Sequence, residues 1–169
     1  DEDSLIRHYS LAPADRLEIA LRRRKHNQLG FAVQLCLMRY PGRPLMPNEI
    51  PPAAMLNYVA EQINADPRQF DLYARREETR RDHIGRLLRY LDLRSASLRD
   101  RREALVAAIE TASATDKGMP IAKAIIASFR ERRVLLPAAN MIDAIKNVVP
   151  SFYAGQNSIS DASTFVRSP

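Results

Sequence analysis

The sequence predicts an all-α fold: a multi-helix bundle with helix-turn-helix-like units, divisible into two helical subdomains. Three observations carry this. Apolar residues recur at helical spacing along almost the whole chain. The period-two alternation of a half-buried strand is absent, and only Val134-Leu135-Leu136 passes for a short extended piece. From Gln28 to Tyr40 the chain is apolar on almost every side of a helical wheel, with Gln28, Gln34 and Arg39 as the interruptions. A helix apolar all round belongs in a core.

Taken in order, residues 4–9 predict a short helical turn. Pro13 suits the first turn of a second helix, with Asp15 and Glu18 near its positive end. That helix runs to about Arg23, with Leu17 and Leu21 facing inward. The buried helix follows over 27–39. A short cationic break separates the two, which gives either the outline of a helix-turn-helix or a kink. Pro41, Pro44, Pro47, Pro51 and Pro52 make a stiff connector, since proline cannot continue a helix ladder. The next helix carries Met55, Leu56, Val59 and Ile63. Asp66-Pro67 then reads as a cap and first turn of a short helix to about Tyr73.

The most basic helix spans about 76–91. Ile84, Leu87, Leu88 and Leu91 form its inner stripe, and Arg75, Thr79, Asp82, Arg86 and Arg89 share the opposite face. Ser97 caps a helix from 98 to about 114, packed through Leu98, Leu105, Ile109 and Ala112. Gly118 and Pro120 open another helix to Arg132, with Ile121, Ile125 and Phe129 inward. After Pro137 a last helix carries Met141, Ile142, Ile145 and Val148. Residues 150–169 are serine-rich without helical period and read as an irregular tail. The breaks divide the helical region 1–149 into candidate subdomains 1–63 and 66–149.

The formal charge is +6 and the isoelectric point about 9.8, which suits an anionic partner. Arginine supplies most of the positive charge, and its planar fork matches phosphate oxygens and guanine edges better than lysine does. Cys36 is the only cysteine, so no internal disulfide forms, and its apolar setting points to a buried structural thiol. No apolar run approaches the roughly 20 residues of a membrane span. The chain therefore reads as cytoplasmic, without a membrane partner. Beginning at Asp1 without methionine, it reads as a trimmed piece, a fragment or a frameshifted remnant.

Three cationic clusters stand out. Arg22, Arg23, Arg24, Lys25 and His26 run directly into the buried helix. A cluster held against a buried helix suits contact with phosphates in a set register. The plainer reading is a solvated charge run at a helix end. Asn27 and Gln28 follow as polar groups that reach base edges, Gln28 the weaker because it lies toward the Leu35 side of the wheel. Residues 68–102 hold eleven arginines against six carboxylates, nearly the whole surplus of the protein. Glu77–Arg81 and Asp82–Arg86 are four apart and pair along a helix. The excess cations, with Arg75, Arg76, Arg80, Arg86 and Arg94 foremost, point to DNA. Arg130, Arg132 and Arg133 form the third cluster.

Catalytic chemistry finds no support. His8, His26, His83 and Cys36 lack metal-ligand spacing, and there is no nucleophile elbow, phosphate loop or paired-glycine fingerprint. No cofactor, metal site or catalytic residue is expected.

The segment HNQLGFAVQLCLMRYPGRPL, followed in order by PPAAMLNYVAEQI, YARREETRRDHIGRLLRYLDLR and RERRVLLP, closely resembles the N-terminal region of the replicative transposases of the Tn-three family of bacterial transposons. The ordered blocks cover roughly residues 5–149. The resemblance implies a helical region that binds duplex DNA at transposon terminal inverted repeats. It places the strand-cutting carboxylates of the full-length protein outside this chain, and it implies a bacterial source and a homodimer formed through that longer protein. It draws Arg130, Arg132 and Arg133, within RERRVLLP, into the candidate DNA surface. The rival from another class is a helical interaction module whose arginines bind an acidic protein or a second copy. The expected outcome with purified chain and magnesium is an intact transposon-end duplex. Nicking that is lost on mutating one of the chain's own acids contradicts it.

Overall fold

The N-terminal unit of the fold is organised around one helix. The computed structural model describes residues 2–74, 77–115 and 117–136. Within them the regular structure is helical, without strands: α1 (Glu2–Tyr9), α2 (Pro13–Ala20), α3 (Lys25–Arg39), α4 (Ala53–Gln62), a 3-10 turn (Pro67–Gln69), α5 (Phe70–Ala74), α6 (Glu77–Tyr90), α7 (Leu98–Ala112) and α8 (Gly118–Glu131). The all-α expectation holds there. The last helix expected after Pro137, the 150–169 tail, Arg75 and Arg76 lie outside the described residues.

The chain divides into two units between Arg94 and Ser95. The break at 63–66 does not separate them. It lies inside the first unit, because α4, the 3-10 turn and α5 all pack on α3.

In the first unit, every residue of α3 from Leu29 to Met38 is buried. Helices α1, α2, α4, α5 and α6 surround it. Gly30 lets α5 come close, since a Cβ there would lie 2.1–2.3 Å from ring carbons of Tyr73. The buried Gln34 accepts from the Leu45 backbone N–H at 3.0 Å and so straps the proline-rich connector to the core. Burial pushes the Cys36 thiol up to about 12, which suits the structural role expected of it.

The local signals explain the ends. Pro13 opens α2, and the Asp15 carboxylate accepts from the Ala12 N–H at 2.8 Å. Asp66 accepts from the Arg68 N–H at 2.9 Å to start the 3-10 turn. Asn64 and Asp92 adopt left-handed φ just past α4 and α6, a conformation these residues tolerate. The inner face of α2 differs from expectation. Leu17 and Leu21 are 73% and 67% exposed, while Asp15 and Ile19 are buried. Periodicity gave the helix, but a buried carboxylate turned it. In α6 the inner stripe is likewise rotated: His83 and Leu87 are buried, and Ile84 and Leu88 only partly so.

In the second unit α7 and α8 pack together. Ala104 and Ala108 of α7 give room to Ile121, Ile125 and Phe129 of α8, with Val134 and Leu136 closing the cluster. The expectation for α8 holds. On α7, Leu98 and Leu105 are exposed, at 64% and 37%, since the small alanines take the inner face. Ser97 and Asp100 cap α7 reciprocally, as the sequence suggested.

Gly30→Ala tests the core directly. Tyr73 is held between Phe70 and His83 and has little room to retreat. Overpacking of this kind costs about 1–3 kcal/mol. The urea midpoint is expected to fall at unchanged slope, and an unaltered midpoint contradicts the seating of Tyr73 on α3.

Candidate nucleic-acid interface

The junction between α2 and α3 and the exposed side of α6 frame an open cleft of about 470 Å³ within the first unit. Leu21, Arg22, Arg23, Arg24 and Asn27 line it from the junction; Glu78, Thr79, Asp82, His83 and Arg86 line it from α6. Two clusters separated by some fifty residues in sequence thus meet across one surface.

The cations divide into two kinds. Arg22 belongs to the wall: its side chain is 8% exposed, it pairs with Glu18 at 3.3 Å, and its guanidinium lies 4.7 Å from the centre of the Phe31 ring. Arg80 is also structural, donating to the Leu45 carbonyl at 2.8 Å and to Glu77. Lys25 reaches the Ile63 carbonyl at 3.2 Å. Arg23 and Arg24, by contrast, are exposed, and their side chains make no ion pair or hydrogen bond among the described residues. Arg86 is half exposed and pairs with Asp82 at 3.0 Å, a contact of the kind that contributes little and exchanges readily. His26 is partly buried at the start of α3.

The start of α3 adds to the positive field. Its cap position is Arg24, with no side-chain acceptor, and its first turn holds no carboxylate. Free backbone N–H groups at a helix start attract anions. Gln28 is committed elsewhere, donating to the Arg22 carbonyl at 2.8 Å. Asn27 Oδ1 is buried and lacks a partner, as are Arg22 Nε and His83 Nδ1. Because α3 is covered from Leu29 to Met38, only its first turn is reachable. It cannot lie in a groove as the recognition helix of a helix-turn-helix does.

Arg94 is exposed at the end of the first unit. Arg130, Arg132 and Arg133 belong to the second. There Arg132 pairs with Glu103 at 3.2 Å and lines a groove of about 400 Å³ with Glu103, Glu110 and Glu131. That groove is acidic. Arg133 holds a left-handed φ of 53° past the end of α8. The sequence missed His83 and Leu21 as cleft residues. Thr79, Asp82 and Arg86 were legible as a shared helix face.

Two titrating groups tie the cleft to the fold. Asp15 is buried and accepts from both terminal nitrogens of Arg39, at 2.7 and 2.6 Å, and from the Tyr90 hydroxyl at 2.8 Å. Burial alone would raise its pKa. The hydrogen bonds from Arg39, Tyr90 and the Ala12 backbone, with the Arg39 charge, outweigh burial and hold it below the ordinary value. His83 is pushed down to about 4, first by burial and then by the neighbouring Arg22 charge, so the imidazole is neutral at pH 7.

A family model described as a domain of unknown function, DUF4158, matches residues 1–148, and the chain belongs to that family. It is also similar to transposases. The chain is 41% identical over 142 residues to the transposase for transposon Tn501 of Pseudomonas aeruginosa. It is 39% and 37% identical over the same length to the transposases for transposons Tn21 and Tn3926 of Escherichia coli. Each match covers 84% of this chain and 14% of the relative. The family resemblance drawn from the sequence blocks is thereby established, and the chain spans about one seventh of those relatives' length.

Acid titration separates the two groups. Between about 6.5 and 4 the unfolded chain takes up the His83 proton and the folded chain does not, so stability falls as the pH drops through that window. Asp15, with its pKa depressed on folding, contributes stability above its unfolded value that is lost only at lower pH. His83→Leu is expected to flatten the upper window and leave the lower loss in place, read by urea midpoints across pH. An unchanged upper window contradicts a neutral buried imidazole.

Proposed function

We propose that this chain is a DNA-binding part of a transposase for DNA transposition, holding duplex DNA at the terminal inverted repeats while catalysis belongs to another part of the protein. The carrying observation is the convergence of Arg23, Arg24 and Arg86 on one open cleft at an uncapped helix start. Phosphate contacts of this kind fix the register of a protein on duplex and supply most of its affinity. The similarity to transposases supports the same role. Among the described residues no group of three or more His, Cys, Asp or Glu stands ready to hold a metal ion, and no helix is long and apolar enough to cross a membrane. A homodimer formed through the longer protein fits the same reading.

The exposed pair Leu17 on α2 and Leu21 at its C-terminal cap, four apart, is what favours the rival protein-interaction module. Salt separates the two. Each phosphate contact contributes about −0.9 to the slope of log affinity against log salt. Arg23→Ala and Arg24→Ala are each expected to weaken binding to any duplex and flatten the slope by about one. Arg22→Ala is expected to lower stability, because it strips cover from Phe31 and unpairs Glu18. A slope near zero for the unaltered chain transfers the assignment to a protein partner.

A further inference from the structure

Helix α6 carries a glycine that the fold does not explain. Gly85 lies mid-helix, where glycine is the weakest helix former after proline. A Cβ at Gly85 would meet nothing within 4 Å among the described residues, so none of these neighbours requires its absence. Its backbone is not in the left-handed region either. No described residue accounts for a glycine there.

Residues 78, 82, 85 and 89 are spaced by four, three and four and so share one crest of the helix. Glu78, Asp82 and Arg89 on that crest are exposed. The Arg89 side chain makes no ion pair or hydrogen bond among the described residues. Arg81 and Arg86 flank the crest, 76% and 48% exposed. The mixture of charge is informative. Carboxylates are repelled by phosphates, so a helix meant only to lie along a DNA backbone gains nothing from Glu78 and Asp82. In a major groove the same groups accept from the cytosine amino group, and arginine forks match guanine.

Resting on the DNA-binding reading, we propose that α6 enters the major groove of the duplex, its crest of Glu78, Asp82, Gly85 and Arg89 against base edges and Gly85 the point of closest approach. The groove, about 12 Å wide, admits a helix. Arg23 and Arg24, across the cleft from Glu78 and Asp82, then meet the phosphates of one strand. With α3 covered, α6 is the helix beside the cleft that combines an open crest with a cation, Arg89, whose side chain has no partner among the described residues.

The test uses the full 169-residue chain and two labelled duplexes: the terminal repeat of the element that encodes it, and a scrambled repeat of equal composition. Gly85→Ala is expected to keep or raise the melting temperature. It is expected to weaken repeat binding at least tenfold and scrambled-duplex binding less than twofold. Arg89→Ala, a change at an exposed and unpaired side chain, is expected to do the same without altering melting. A Gly85→Ala chain that melts lower overturns the proposal, because the glycine is then structural. Repeat binding equal to the unaltered chain in both variants overturns it as well. Absence of salt-dependent duplex binding by the unaltered chain defeats the DNA-binding reading itself, before any variant is compared.

Discussion

Ten consecutive buried residues on α3, Leu29 to Met38, set the terms for the rest of the first unit. A helix can be covered on every side only if other elements surround it, and five other helices do. Each must find a way onto its surface. α5 does so through the missing side chain of Gly30, and the proline-rich connector does so through Gln34. The cover also decides what α3 can do. Its body is out of reach of any large partner, so whatever it contributes comes from its first turn. The cations before that turn are therefore fixed in place by the core rather than by contacts among themselves.

Asp15 is the second anchor, and it is an expensive one. Burying a carboxylate is costly unless its oxygens are satisfied by charged and hydrogen-bonding partners. Here a bidentate arginine from the end of α3 and a tyrosine from the end of α6 supply them. The pairing ties residues 24 and 75 positions apart to the first turn of α2. It fixes how α2 leads into the cationic junction and where α6 stands opposite. The two walls of the cleft are thus positioned by one carboxylate. Removing it would leave Arg39 without its partner as well as unseating α2.

The existence of the helices was legible because periodicity survives most changes of context. Which face turns inward was less so. On α2 the apolar pair Leu17 and Leu21 gave the expected inner face, yet Asp15 and Ile19 hold it. No rule of spacing reveals a buried carboxylate whose partners lie 24 and 75 residues away. On α7 the two exposed leucines misled in the same way, since alanine is the better fit where α8 presses close. The arginine clusters were visible as clusters, but their division of labour was not. Arg22 and Arg80 look like Arg23 and Arg86 in a sequence, and only burial separates a wall residue from an exposed one. Asp82 and Arg86 were placed correctly on one face because that judgement needs only local spacing.

Natural sequences that fold well agree with themselves at every level, and their departures from local rules gather at functional sites. In the first unit several such departures border the cleft. A helix begins with arginine at its cap and no acid in its first turn, against its own dipole. Three buried polar atoms, on Arg22, Asn27 and His83, go without partners beside the same cleft. A glycine weakens the adjoining helix with no packing reason. Each departure lowers stability slightly, and no contact among the described residues offsets it. An anionic partner would relieve the first by neutralising the cations at the helix start. A polar partner would relieve the second, and a partner that approaches closely would explain the third. A nucleic acid duplex combines all three properties, whereas an acidic protein surface has no comparable groove for a bare stretch of helix backbone to enter.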